Sequence, residues 1–98
     1  MSAAAADTAV QPSLRLDGEL TIYRAGELKP VILDAVRRAA EPAIDLSEIS
    51  EIDTAGVQLL LLARREAASL DRQLALVAPS NAVREAFELL ALPLDAAA

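Results

Sequence analysis

The sequence predicts an α/β domain with a small, mostly parallel sheet and the element order β-β-α-β-α-β-α. Apolar residues alternate with polar ones over residues 14–22, which is the period of a half-buried strand. From Gly26 the apolar spacing changes to three and four residues, which is typical of an amphipathic helix. Two further short apolar segments, residues 43–47 and 73–78, each precede a helical pattern. Strands that alternate with helices in this way favour a parallel sheet with helical cover.

The first two strands are predicted to form a hairpin, because Asp17 and Gly18 interrupt the alternation within SLRLDGELTIY, residues 13–23. A helix follows and ends near Glu41, since the residue before Pro42 disfavours helix. The apolar residues at helical spacing are Leu28, Val31, Ile32, Ala35, Val36 and Ala39.

The second half of the chain repeats the strand–helix unit twice. Residues 43–47 are predicted as a buried strand that leads into a loop, and a helix runs from Ala55 to about Leu70. Residues 73–78 form the last predicted strand. Ser80 or Asn81 then caps a third helix, whose apolar positions are Val83, Phe87, Leu90 and Ala91. We expect a disordered tail over residues 1–12 and a single domain over residues 13–98.

The composition excludes several function classes. The net charge of −6 and the presence of only two aromatic residues, Tyr23 and Phe87, argue against nucleic-acid binding, which depends on cationic side chains and base stacking. The N-terminal residues lack the basic start and long apolar run of a signal peptide, so we expect a cytoplasmic protein. The longest apolar run is far shorter than the ~20 residues needed to span a bilayer.

Catalysis and metal binding are also disfavoured. The chain has no His and no Cys, and its three glycines are too widely spaced for a phosphate-binding loop. Glu48, Glu51 and Asp53 lie close together in the sequence, but a solvated acidic loop accounts for them without a metal. We therefore expect no enzyme activity and no cofactor.

Asp53 and Thr54 lie at the predicted junction between the loop and the second helix. The first amides of a helix lack internal partners and carry partial positive charge, and Asp and Thr are both suited to cap them. One interpretation is that Asp53 caps the helix and Thr54 merely begins it. The other is that Thr54 is a modification site, because the same amides would stabilise a phosphate there. Gly56 would then leave room for another molecule to approach.

The second helix is apolar around most of its first two turns, with Gln58 as the only polar residue between Val57 and Leu62. A core on one side needs an apolar stripe roughly 100° wide, and this run is wider. Leu59 or Leu62 must therefore face either a second core layer or a partner. Both interpretations remain open.

Residues 14–92 resemble the STAS domain family of sulphate-transporter tails and anti-sigma factor antagonists. LDGEL at residues 16–20 is similar to the opening hairpin of the family, and LVAPSNAVREAFELLAL at residues 76–92 is similar to its closing strand and helix. The most specific likeness is IDLSEISEIDTAGVQLLL at residues 44–61, in which Asp, a hydroxyl residue, a small residue and Gly follow an apolar strand. The resemblance implies a mixed sheet with helices packed on one side and an exposed loop that can be phosphorylated.

In the anti-sigma factor antagonists, the hydroxyl residue directly after this Asp is phosphorylated by a partner kinase, and the added charge breaks the complex. By position that residue is Thr54, with Ser50 and Ser47 as secondary candidates. The resemblance therefore implies a protein-binding module in signal transduction and transcription regulation. The implied partner-binding residues are Ser50, Asp53, Thr54, Ala55, Gly56, Val57 and Gln58.

The sequence also departs from the sigma-regulating pattern. Thr21 stands where Asp often follows Gly-Glu-Leu, and Thr54 is followed by Ala55 rather than by a second Ser. These features look more like chemotaxis-associated STAS proteins, or the small STAS subunit of a lipid-trafficking ABC transporter that binds its ATPase without phosphorylation. The partner is thus predicted to be a protein: an anti-sigma factor or serine/threonine kinase, an ABC transporter ATPase, or a chemotaxis component.

Overall fold

Strands and helices alternate along the chain as the apolar periodicity predicts. The computed structural model describes residues 11–94. The elements within this range are β1 (Leu14–Leu20), α1 (Ile22–Arg38), β2 (Ala43–Ile52), α2 (Thr54–Ser69), β3 (Ala75–Val77) and α3 (Asn81–Leu89). The α/β class predicted from the sequence is confirmed.

The described strands form one parallel sheet in the order β1-β2-β3. Parallel neighbours require crossover connections, which are right-handed in nearly all proteins. Both crossovers step in the same direction across the sheet, so α1 and α2 lie on the same face. α1 contacts α2, and α2 contacts α3, so the three helices form one layer over the sheet.

The predicted hairpin at Asp17-Gly18 is wrong, because residues 14–20 form one continuous strand. Gly18 adopts a left-handed conformation with φ of 74°, and the pairing with β2 shifts between Gly18 and Glu19. The irregularity is therefore a bulge, which is a common use of such a glycine. Arg24 stabilises it by donating from Nη1 to the carbonyl oxygens of Asp17 (2.6 Å) and Glu19 (2.9 Å).

The predicted loop after residue 47 is also wrong, because β2 continues to Ile52. The long β1 supplies backbone partners along this whole segment, with Gly18 opposite Ile49 and Leu20 opposite Ile52. Ser47 and Ser50 therefore lie in a strand rather than in a loop.

The core lies between the sheet and the helical layer. The predicted positions Leu28, Ile32 and Val36 of α1 are buried in it. Its other buried side chains include Leu16, Leu20, Ile44, Leu46, Ile49, Val57, Leu60, Leu74, Val83 and Phe87. In α2, Leu59 is buried with 8% of its surface exposed, whereas Leu62 is half-buried. For Leu59 the structure therefore supports burial rather than a binding surface.

The N-terminal end of the described region is held to the sheet. The Ser13 amide donates to the Ala43 carbonyl oxygen at 2.7 Å, and the Ala43 amide donates to Ser13 Oγ at 3.1 Å. Most of the predicted tail over residues 1–12 lies outside the described residues. None of the helices within residues 11–94 combines the length and apolarity needed to cross a bilayer.

Gly56 provides a test of how closely α2 packs against β1. A Cβ atom at Gly56 would lie 2.0 Å from the Leu20 carbonyl oxygen and 2.9 Å from Ile52 Cγ1. We predict that Gly56→Ala lowers the free energy of unfolding by about 2 kcal/mol or more, because backbone must move to admit the methyl group. Chemical denaturation measures the change.

Gly26→Ala is the matched control for that substitution. Gly26 lies within α1, and a Cβ atom there would meet nothing within 4 Å. We expect Gly26→Ala to raise the free energy of unfolding by up to ~1 kcal/mol, since alanine favours helix. Equal effects of the two substitutions would show that the close approach of α2 to β1 is wrong.

Candidate functional site

Two single-residue connections build the candidate site at the carboxyl edge of the sheet. Thr21 alone separates β1 from α1, and Asp53 alone separates β2 from α2. Leu20 and Ile52 are paired across the two strands, so the two connections leave the sheet side by side. The N-termini of α1 and α2 are therefore neighbours.

The Asp53 carboxylate caps both of these helices. Its Oδ1 accepts a hydrogen bond from the Gly56 amide in the first turn of α2 at 3.0 Å. Its Oδ2 accepts one from the Ile22 amide, the first amide of α1, also at 3.0 Å. Thr21 does not cap α1 with its own side chain, because Thr21 Oγ1 donates instead to Glu19 Oε1 at 2.5 Å. Asp53 therefore caps α1 in place of the Thr21 side chain.

These contacts favour the ionised form of Asp53. The Ile22 amide makes the largest contribution to lowering the pKa of the Asp53 carboxyl group below its ordinary value, and the Gly56 amide contributes next. The partial positive charge at two helix N-termini acts in the same direction. A carboxylate at this point is therefore negatively charged throughout the physiological pH range.

Thr54 is the first residue of α2 and is exposed. Its hydroxyl group makes no hydrogen bond within residues 11–94, so it is available to an enzyme or a partner. Gln58, one helical turn later, is exposed on the same side of α2. Ser50 is exposed near the end of β2.

The remaining predicted site residues lie inside the protein or at its margin. Gly56 and Val57 are buried, and Ala55 is half-buried. The expectation that Gly56 leaves room for another molecule is wrong, because the Leu20 backbone already occupies that space. Gly56 and Val57 therefore support the site from within and offer no surface to a partner.

Two residues that the sequence interpretation missed are exposed next to Asp53. Ile22 is 62% exposed and Tyr23 is 88% exposed, both in the first turn of α1. The alternation over residues 14–22 suggested that they belonged to a strand. Extending the buried stripe of Leu28, Ile32 and Val36 backwards at helical spacing leaves Tyr23 on the opposite, solvent-facing side, which is the signal that could have identified it.

The acidic residues near the site do not form a metal centre. Among residues 11–94, no three potential His, Cys, Asp or Glu ligands converge closely enough to hold a metal ion. Glu48 and Glu51 lie on β2, whereas the Asp53 carboxylate is occupied by the two helix amides.

Comparison with known proteins identifies the family. A family model described as "Mlab, STAS domain" matches residues 3–93. The chain therefore belongs to the STAS domain family, as the central segment at residues 44–61 suggested. A search among curated proteins returned no match.

Solved structures that share this fold include two of SpoIIAA, an anti-sigma factor antagonist, and one of a proposed antagonist. SpoIIAA in its unphosphorylated form is 27% identical, with a TM-score of 0.65 over 86% of this chain and 77% of that chain. Phosphorylated SpoIIAA, described as a Bacillus cell fate determinant, is 26% identical, with a TM-score of 0.61 over 86% of this chain and 80% of that one. A proposed anti-sigma factor antagonist from Thermotoga maritima is 20% identical, with a TM-score of 0.68 over 85% and 75% of the two chains, and shows the fold alone.

The double cap by Asp53 predicts a specific effect of pH on stability. Asp53→Asn keeps one acceptor oxygen, so it can cap only one of the two helices and loses the negative charge. We expect the Tm to fall by several degrees near neutral pH. The lowered pKa of Asp53 means that its contribution is complete above the ordinary Asp pKa of about 3.9 and is lost as the pH falls through the folded-state value. The Tm difference between wild type and Asp53→Asn should therefore shrink below that pH.

Differential scanning calorimetry from acidic to neutral pH measures this difference. The difference is the informative quantity because a second carboxyl group, Asp45, also has a lowered pKa, chiefly from the Ser47 hydroxyl and amide groups. Glu85→Gln is the control, since Glu85 is exposed on α3 and makes no hydrogen bond within residues 11–94. A Tm difference that grows on acidification would contradict the double cap.

Proposed function

We propose that this member of the STAS domain family is a non-catalytic protein-binding module whose docking is switched off by phosphorylation of Thr54. The observation that carries the proposal is the exposed Thr54 hydroxyl group directly after the carboxylate that joins α1 and α2. The related SpoIIAA structures support it, because that antagonist occurs in both unphosphorylated and phosphorylated forms. The proposed setting is the bacterial cytoplasm, with a role in signal transduction and transcription regulation.

A phosphate on Thr54 would compete with Asp53 for the same positive region. Phosphothreonine carries about −1.5 to −2 charges near neutral pH and is attracted to helix N-terminal amides. The Asp53 carboxylate already accepts from the Gly56 amide in that turn. Repulsion between the two anions would push Asp53 away from the Ile22 amide. The start of α1 would then lose its cap.

The exposed residues around Thr54 are the proposed contact surface. Thr54, Gln58 and Ser50 are accessible, and the bond between Asp53 and the Gly56 amide fixes the first turn of α2, in which Thr54 lies. A charged phosphate within a surface that loses its water on docking also costs desolvation free energy. Both effects act in the same direction, towards release of the partner.

Binding rather than catalysis is supported by the residue types present. The sequence contains no His and no Cys, which removes the commonest general bases and thiol nucleophiles. An anti-sigma factor with kinase activity is the partner class that fits this proposal best.

A second candidate function is favoured by the description of the matching family model, "Mlab, STAS domain". In this alternative the chain is the small subunit of a lipid-trafficking ABC transporter and binds the ATPase through the unmodified Thr54. The two candidates assign different roles to the hydroxyl group. In the first it is an acceptor of phosphate, and in the second it is itself a contact.

Three substitutions at Thr54 distinguish the two candidates. If phosphorylation is the switch, Thr54→Ser and Thr54→Ala retain the wild-type affinity for the partner. Thr54→Glu weakens binding by about tenfold or more, because a charge is introduced at a desolvated surface. If the hydroxyl group is a constitutive contact, Thr54→Ala loses the partner as well. Calorimetric titration of the purified partner measures affinity, and mass spectrometry of the protein from its host measures phosphate at Thr54.

Asn81→Glu is the matched control for Thr54→Glu. Asn81 is the exposed first residue of α3, directly after the Ser80 cap, so it repeats the local position of Thr54 on another helix. We expect Asn81→Glu to leave affinity unchanged. Unchanged affinity for all three Thr54 variants would rule out both functions for this residue.

A further inference from the structure

Ile22 and Tyr23 are an exposed apolar pair in the first turn of α1. Their exposed fractions are 62% and 88%. The Ile22 amide is bound to Asp53, the residue that precedes Thr54. We propose that Ile22 and Tyr23 anchor the docking surface, and that they fit a protein partner with an apolar recess surrounded by Lys and Arg side chains. The inference rests on the proposed function and names the chemistry of its partner.

Tyrosine is well suited to such an anchor. It presents a large rigid ring with a polar tip and loses little conformational entropy on binding, and tyrosines are over-represented among interface residues that dominate affinity. Tyr23 is the only tyrosine in the sequence, and its side chain is not part of the hydrophobic core.

The charge around Ile22 and Tyr23 indicates the sign of the charge expected on the contact surface of the partner. The two segments that meet here, residues 19–27 and 50–58, contain four carboxylates, Glu19, Glu27, Glu51 and Asp53, and one cation, Arg24. Arg24 is engaged by the carbonyl oxygens of Asp17 and Glu19 and lies 3.9 Å from Glu27. With one cation and four carboxylates, these segments carry a net charge of 1 − 4 = −3, so we take the rim of the apolar pair as negative; complementary Lys or Arg side chains would accelerate association and orient it.

The same charge argues against other occupants. A second copy of this chain would place its own carboxylates against Glu19, Glu27 and Glu51, and like charges across an interface are unfavourable. Nucleic acids and anionic membranes carry the same sign as this surface and would be repelled. A heterologous protein with a basic rim is the occupant that fits.

The negative charges at the rim are compatible with release of the partner when Thr54 is phosphorylated. The rim carboxylates remain hydrated when the partner docks, so they steer association at little cost. Thr54 instead directly follows Asp53, whose carboxylate accepts from the Ile22 amide, so the proposed apolar contact at Ile22 would remove water close to this residue. A dianion at this inner position loses hydration and disturbs Asp53.

A photoreactive residue tests this placement. Benzoylphenylalanine replaces Tyr23 in one bait and Leu89 in another, because Leu89 is equally accessible, at 85%, but lies at the end of α3. Both baits are irradiated in host lysate at low salt and at ~1 M salt, where charges more than about 3 Å apart are screened. The cross-linked partner peptides are then sequenced by mass spectrometry.

The expected result is one protein that cross-links to the Tyr23 position and not to the Leu89 position, through a peptide that contains Lys or Arg beside apolar residues. The yield should fall at high salt and in baits that also carry Thr54→Glu. With that protein purified, Tyr23→Ala should raise the Kd by about tenfold or more, as expected of an interface aromatic. Leu89→Ala should leave the Kd within about twofold of the wild-type value.

Several outcomes would overturn the anchor. These are equal cross-linking at the Tyr23 and Leu89 positions, an adduct with a second copy of this chain, an acidic partner peptide, or an unchanged Kd for Tyr23→Ala. If Thr54→Glu still releases the partner in that last case, the proposed function stands and only the anchor fails. If neither substitution affects binding, the proposed function fails as well.

Discussion

The Asp53 carboxylate joins the N-termini of two helices, and the rest of the site depends on this contact. Each helix begins one residue after a strand, so both N-termini lie at the same edge of the sheet with unpaired amides and partial positive charge. Two such ends placed side by side repel each other. One carboxylate with a hydrogen bond to each, to Ile22 and to Gly56, satisfies both amides and neutralises the repulsion.

The same short connections leave little freedom to the neighbouring residues. Gly56 must lack a side chain because α2 starts against the Leu20 carbonyl oxygen. Thr21 is buried and directs its hydroxyl group to Glu19, so α1 depends on Asp53 for its cap. Ile22 and Tyr23 of α1 and Thr54 and Gln58 of α2 remain exposed beside these connections. A partner that approaches the carboxyl edge of the sheet, where α/β folds commonly place their ligands, meets these side chains first.

Local sequence patterns predicted the helices and their buried faces. Helical spacing identified Leu28, Ile32 and Val36 as core residues, and Ser80 was correctly identified as a possible cap of α3, since its Oγ accepts from the Val83 amide. Each of these features depends on residues three or four positions apart. Such information is contained within a short window of sequence.

The errors occurred where distant residues decide the structure. Asp17-Gly18 is a turn signal by itself, but β2 pairs along the whole of β1 and Arg24 binds the carbonyl groups around the bulge. Asp53 was predicted to cap α2, yet its second bond, to Ile22, follows only from the pairing of Leu20 with Ile52. The exposure of Tyr23 depends on the same pairing, because it requires α1 to begin at Ile22.

The connection from Thr54 through Asp53 to the start of α1 is tested most directly by the state of the Ile22 amide when Thr54 carries a phosphate. Amide hydrogen exchange and chemical shifts are measured by NMR on the chain with and without phosphothreonine at position 54. We expect the Ile22 amide to lose protection and to shift, while the Val83 amide, which is capped by Ser80 on α3, is unaffected. An unchanged Ile22 amide, with shifts confined to the first turn of α2, would show that Asp53 does not connect Thr54 to the start of α1.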